Sequence, residues 1–237
     1  MQMYLTNKTY LKPDMKISDI IRENPAILLV LEHFGIDDVL HEKSVAQLCK
    51  QSGIGELLFI VICNLYNGFN FNEPDKLSNS DIPVIISYLN NSHLYYKNEK
   101  YPEIIAYIRQ LNTSGHSREM KLAEVFFNEY FEEVIEHLDY EDKIAFPYFN
   151  QIVGNSRIKS KDGYSASSYL KHHSDIESKL EDFKNLLLKH LQIKNQGAVK
   201  RKLLYSLFEL EFDLKIHSMI EEQLLIPLVI SIENRDL

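Results

Sequence analysis

Two stretches of the chain share one short pattern, His137-Leu-Asp-Tyr-Glu141 and His217-Ser-Met-Ile-Glu221, each a histidine followed four positions later by a glutamate. On a helix, residues four apart stack on one face, so each pair can present an imidazole nitrogen and a carboxylate oxygen to a single point. A lone buried carboxylate is expensive, and a buried imidazole needs partners for its ring nitrogens. A bound cation answers both demands.

The pattern is larger than the two pairs. His93 and His173, His137 and His217, Glu141 and Glu221, and Pro147 and Pro227 are each separated by 80 positions. A two-helix unit therefore occurs twice, each copy reading His … His-x-x-x-Glu-x-x-x-x-x-Pro. The repeat selects His173 over its neighbour His172, which is out of register. The resulting candidate ligands are His93, His137, Glu141, His173, His217 and Glu221.

Four histidines and two carboxylates suit iron, manganese or zinc, whereas calcium and magnesium prefer oxygen alone. Two six-coordinate ions offer about twelve positions. If both carboxylates bridge, the protein fills about eight and a shared oxo or hydroxo bridge about two more, leaving roughly one per ion for water or a diatomic ligand. Glu133, one turn before His137, could line an access channel or support the ligands, or be an ordinary solvated helix charge; its counterpart in the repeat is Asp213. His33 and His41 lack a matching set, which favours surface or capping roles. His116 falls in an expected loop, and His190 near a helix end, where a cation suits the dipole. Tyr95, Tyr96 and Tyr130 are read first as packing residues.

The elements that must hold these ligands are helical. No alternating strand pattern occurs, and no Asn-Gly or Asp-Gly hairpin lies between such patterns. Four long periodic segments are expected near 82–111, 117–145, 164–193 and 197–225, with breaks at Thr113–Gly115, around Pro147–Gly163 and at Gln192–Gly197. Four helices with short connections give an all-α, up-down-up-down four-helix bundle. The second segment sets Leu122, Phe126, Tyr130, Val134, His137, Glu141 and Ile144 on one stripe. The fourth sets Leu203, Leu207, Leu210, Leu214, His217, Glu221 and Leu224 on another. Ahead of the bundle, 1–66 reads as a small helical module broken near Pro25, Gly35 and Ser52–Gly55. The Gly-, Asn-, Pro- and Ser-rich stretch 67–81 reads as a linker, and 82–237 as the bundle.

Bulk properties exclude several functions. The 237 residues are 45% apolar and 25% charged, the balance of a globular chain with a real core. A net charge of −8 argues against nucleic acid as a partner, since that needs a basic surface to displace counterions. The two cysteines, Cys49 and Cys63, form no C-x-x-C pair, so a disulfide framework or thiolate metal site is not expected. The longest apolar run, Leu57–Cys63, falls far short of the roughly 20 residues that span a bilayer. The first fifteen residues lack the apolar core of a signal peptide, which points to a cytoplasmic protein with no membrane partner. A homodimer is left open.

At the ligand motifs, His137-Leu-Asp-Tyr-Glu141-Asp-Lys-Ile-Ala-Phe-Pro147 and His217-Ser-Met-Ile-Glu221-Glu-Gln-Leu-Leu-Ile-Pro227 resemble the paired motifs of hemerythrin-like cation-binding domains, and His173-Ser-Asp-Ile176 resembles their third-helix motif. The resemblance spans about 82–231. Within that group the chain is similar to the iron–sulfur cluster repair di-iron family, whose N-terminal module resembles Ile17-Ser-Asp-Ile-Ile-Arg-Glu-Asn-Pro25 and Leu31-Glu-His-Phe-Gly-Ile-Asp37 here. This implies a bacterial protein with two iron ions that repairs clusters damaged by nitrosative or oxidative stress, binding nitric oxide or supplying iron, with damaged iron–sulfur proteins as partners. Two departures stand out: Val39-Leu40 occupies the place of the family's Cys-Cys pair, and His172 that of an acidic residue.

The alternative is a module that binds or senses oxygen or nitric oxide and signals to a partner. An oxidase or peroxide scavenger ranks lowest, because such bundles use Glu-x-x-His and more carboxylates. The expectation is a metal-binding protein rather than a turnover enzyme.

Overall fold

The computed structural model describes residues 9–37, 42–113, 118–154, 165–172, 176–189 and 196–234. Among these the regular structure is helical, apart from one isolated antiparallel bridge between Lys16 and Ser44. The chain divides into two compact units, the first formed by Met1–Ser92, Tyr148–Ala166 and Ile216–Leu237, the second by His93–Pro147 and Ser167–Lys215.

In the first unit, α1 (Ile17–Glu23), α2 (Ile27–His33), α3 (Val45–Ser52) and α4 (Glu56–Tyr66) follow the expected breaks. Their ends have local causes. Ser44 starts α3 with a reciprocal cap, its hydroxyl accepting from the Gln47 amide while the Gln47 side chain accepts from the Ser44 amide. Gly53, at φ 69°, ends that helix in a left-handed conformation that a side chain would strain. Nearly all of α4 is apolar and buried, so α2 and α3 both pack on it.

Three asparagines satisfy the buried backbone there. Asn24 Nδ2 donates to the Tyr66 carbonyl (3.1 Å) and to Asn67 Oδ1 (2.8 Å), and Asn64 Oδ1 accepts from the Leu11 amide at 2.8 Å. His33 corrects the expectation of a surface or cap role. It is buried edge-on against Tyr88, because α2 turns that face toward the core rather than toward solvent.

The stretch read as a linker contains two 3₁₀ turns, Pro74–Lys76 and Asn79–Asp81. Both pack against α12 (Ile226–Glu233), in the same unit. The Phe71 amide also donates to Gln223 Oε1 at 3.3 Å.

The long helices hold the rest. They are α5 (Ile82–Tyr95), α6 (Tyr101–Thr113), α7 (Arg118–Tyr140), α8 (Phe146–Gly154), α9 (Ala166–His172), α10 (Ile176–Lys189) and α11 (Gly197–Ile220). In the second unit α6 and α10 both pack on α7. Tyr101 stacks on Phe131 (3.7 Å between ring centres), while Phe183 meets both Phe126 and Phe127.

Two expectations about these helices need correction. The second and fourth segments do not end at their prolines but run through them, to Gly154 and Glu233. Each proline sits just after a wide π turn, at Glu141–Ala145 and Glu221–Leu225; a third π turn, Tyr96–Lys100, precedes Pro102. An α-helix would press the proline ring against the carbonyl four residues back. In each π turn the residue before the proline donates instead to the carbonyl five back: Tyr101 to Tyr96, Phe146 to Glu141 and Ile226 to Glu221. The widened turn accommodates the ring without ending the helix.

The second correction concerns the stripe of the second segment. Leu122, Phe126 and Ile144 are 59%, 36% and 47% exposed, while Ala123, Phe127, Tyr130, Val134 and Leu138 are buried. Steps of four advance about 40° per step beyond a full turn, so a stripe drawn 122, 126, 130, 134 drifts roughly 120° off the core face. Ile144 lies inside the π turn, which shifts the helical register again. The stripe of the fourth segment alternates steps of four and three, and every residue named in it is buried.

Candidate metal centre

In the second unit three candidate ligands converge. Glu141 is fully buried. Its Oε1 lies 3.0 Å from His137 Nε2 and accepts a 2.8 Å hydrogen bond from Tyr169, and its Oε2 lies 3.3 Å from His93 Nε2. His137 is one turn before Glu141 at the end of α7, and His93 is near the end of α5, stacked on Phe146.

The far side of His93 fixes its tautomer. Nδ1 lies 2.6 Å from Asp142 Oδ1. An ionised carboxylate only accepts, so Nδ1 carries the proton and donates. A neutral ring then directs the Nε2 lone pair at the Glu141 carboxylate, acceptor against acceptor. A second proton or a cation between them resolves the clash, which is the environment of a metal ligand. Asp142 is itself held by Lys97 (3.0 Å), which also binds Asp139 (3.0 Å). Burial pushes the Asp142 carboxyl up, but the His93 and Lys97 hydrogen bonds and charges outweigh it and hold it below the ordinary carboxylate range.

The first unit repeats the arrangement with different parts. His217 Nε2 lies 3.4 Å from Glu221 Oε1, both buried, and His217 Nδ1 lies 2.9 Å from Ser92 Oγ. Ser92 spends its one hydroxyl proton on the Leu89 carbonyl at 2.7 Å, so it must accept from His217. The Nε2 lone pair again faces a carboxylate.

Within the second unit the structure brings His93, His137 and Glu141 together, and within the first it brings together His217 and Glu221. His173 lies outside the described residues, as do His41, His116, His190, Val39 and Leu40. Glu133 is on the outside of α7, half-exposed and paired with Lys179. Its counterpart in the repeat, Asp213, is 1% exposed and accepts from Tyr96 at 2.7 Å. In the repeat the position of Tyr96 corresponds to Ile176, which carries no hydroxyl.

Sequence reasoning did not single out Asp142, Ser92 or Tyr169. Asp142 neighbours Glu141 and Ser92 neighbours His93, but spacing alone does not reveal which ring nitrogen each would serve.

These features define a class: a helical protein whose buried histidines offer Nε2 lone pairs to buried carboxylates, a donor set suited to a borderline metal such as iron or zinc. Residues 99–229, more than half of the chain, match the hemerythrin HHE cation binding domain. The chain belongs to that family, whose domains bind cations, often iron, and small ligands such as oxygen. The matched span contains His137, Glu141, His173, His217 and Glu221, while His93 lies just before it. No curated protein matches the chain. No described helix is long and apolar enough to cross a membrane.

Proposed function

We propose that His93, His137, Glu141, His173, His217 and Glu221 hold two irons, and that the protein serves the repair of iron–sulfur clusters damaged by nitrosative or oxidative stress. The bound pair would supply a redox-active site for a diatomic ligand and a store of exchangeable iron. The chain's own residues supply the rest. Asp142 and Ser92 set the imidazole tautomers, Tyr169 orients Glu141, and the surrounding apolar side chains exclude water.

The acceptor-against-acceptor geometry of His93 and Glu141 carries the metal assignment. Family membership supports iron, and the helical module ahead of the matched span supports the repair role. Manganese and zinc would satisfy the same donors, so metal analysis of anaerobically purified protein comes first. Two irons per chain, with restored activity of a cluster-damaged dehydratase on addition of the iron-loaded protein, is the expected result. Two bound irons with no restoration would refute repair while leaving the centre intact.

A second use of the same centre, sensing oxygen or nitric oxide for a partner, is favoured by Val39-Leu40, which removes the thiols that iron hand-over would use. Reversible oxygen binding by the reduced protein, seen as a charge-transfer band, would support it. Rapid irreversible autoxidation would oppose it.

A further inference from the structure

Two buried tyrosines, adjacent in sequence, each donate to a different carboxylate on α11. Tyr96 donates to Asp213 Oδ2 at 2.7 Å and Tyr95 to Glu209 Oε1 at 3.0 Å, with ring centres 5.6 Å apart. Tyr96 and Asp213 are both 1% exposed, so a carboxylate has been placed in the interior with a phenol beside it. Packing alone does not explain this, since Phe and an apolar residue would fill the space without desolvating an anion.

The outer carboxylate leads toward solvent. Glu209 Oε2 binds Lys100 at 3.1 Å, Lys100 binds Glu103 at 2.9 Å, and both glutamate side chains are about a third exposed. The Lys100 ammonium also lies 5.6 Å over the Tyr95 ring, where its charge disfavours any cationic form of that ring. In sequence, Tyr96 follows His93 by three positions and Asp213 precedes His217 by four.

We propose that Tyr96 and Tyr95, each with its own proton acceptor, form a redox relay that carries oxidising equivalents from the buried metal centre to the surface. The inference rests on the two-iron assignment above. The oxidant is a peroxide, whose two-electron reduction to water and an alcohol, or to two waters, takes two electrons through the relay and two protons from solvent, matched by those the reductant releases there. In each one-electron step Tyr96 would give an electron to the oxidised centre as its phenolic O–H bond breaks, with the proton passing to Asp213. Tyr95 then returns an electron to the Tyr96 radical while Asp213 returns the proton to the Tyr96 oxygen. The Tyr95 proton goes to Glu209, and a one-electron reductant such as ascorbate restores Tyr95 at the surface, with Glu209 returning the proton.

This geometry fits coupled electron transfer better than a proton wire. Each tyrosine has a proton acceptor within hydrogen-bond distance, so only the electron has to cross between the rings. The repeat leaves the other half without such a relay, because Ile176 stands at the position of Tyr96.

The test is freeze-quench electron paramagnetic resonance of the iron-loaded protein after hydrogen peroxide, with iron content measured on the same samples. A radical whose hyperfine structure collapses when ring-deuterated tyrosine is incorporated is expected. Tyr96→Phe should abolish it with iron content unchanged, Tyr95→Phe should prolong it, and Asp213→Asn should slow its formation. Absence of a tyrosyl signal from protein holding two irons, or its persistence in Tyr96→Phe, overturns the relay. Failure to bind two irons overturns the metal assignment instead. Thermal melting of each metal-free variant separates loss of the relay from loss of the fold, and Tyr95→Phe gives a second readout if Tyr96→Phe melts.

Discussion

Asp142→Asn is the sharpest probe of how the ligand histidines are held. Asp142 accepts the His93 Nδ1 proton at 2.6 Å, and Lys97, bound to the same carboxylate, keeps a second partner in Asp139. The amide is nearly isosteric and its oxygen can still accept from Nδ1, but its NH2 then faces Lys97, so that ion pair is lost while Lys97–Asp139 remains, and the negative charge behind the imidazole disappears. Partners of this kind typically contribute 10–100-fold to metal affinity. With the hydrogen bond retained, the expected loss lies at the low end, about tenfold or about 1.4 kcal/mol. Asp142→Ala removes the bond as well, and its loss should approach about a hundredfold. Anaerobic competition against a chromophoric chelator, with Fe²⁺ and with Co²⁺ as an optical probe, measures both. If both variants bind within about twofold of the wild type, His93 is not held for a metal in this way.

Two further outcomes follow from the packing and the charges. Phe127→Ala should destabilise the metal-free protein by about 3–5 kcal/mol, whereas Leu122→Ala, on the exposed side of the same helix, should stay within about 0.5 kcal/mol in urea denaturation. Equal losses would contradict the corrected face of α7. At Glu103, burial raises the carboxyl pKa, but the Lys100 and Ser206 hydrogen bonds outweigh it and hold it below the ordinary 4.5. A depressed carboxyl supports folding above its unfolded pKa, and that support fades as pH falls through the depressed value. Glu103→Gln should therefore melt lower than wild type at pH 7, and the two curves should converge as pH falls through the depressed value. A gap that does not change with pH would assign the difference to packing.

Much of the helical fold, and the buried placement of His93, Glu141, His217 and Glu221, was legible because both depend on residue type at fixed spacing. The 80-residue repeat marked both His-x-x-x-Glu pairs, and alternating steps of three and four placed the Leu203–Leu224 stripe correctly. The misreadings arose where geometry departs from a uniform helix or where a contact is long-range. Steps of four carried the other stripe off its face. The prolines looked like helix ends because a π turn has no composition of its own. Ser92 is 125 positions from His217, and Asp142 is 49 from His93. No local pattern joins such pairs, and only the fold decides which ring nitrogen meets which oxygen. Glu133 and Asp213 look equivalent in the repeat, yet Glu133 is half-exposed and Asp213 is buried against the Tyr96 hydroxyl.

The π turns also carry a chronology. A π turn is one residue inserted into an α-helix. Those at Glu141–Ala145 and Glu221–Leu225 stand 80 positions apart, so they occupy the same place in both copies of the repeat. Inheritance from a single two-helix ancestor explains both with one insertion that preceded the duplication. The turn at Tyr96–Lys100 has no such twin, since α10 runs as regular helix through the corresponding positions. It opens with Tyr96, and because the spacing of 80 holds both before it, at His93 and His173, and after it, at His137 and His217, any residue it adds is balanced within its own half. The two copies of the repeat therefore differ in helix geometry beside His93. Ancestral reconstructions in which both copies keep the residue added at Glu141–Ala145 and Glu221–Leu225 would bear out the single origin; its absence from one copy would not.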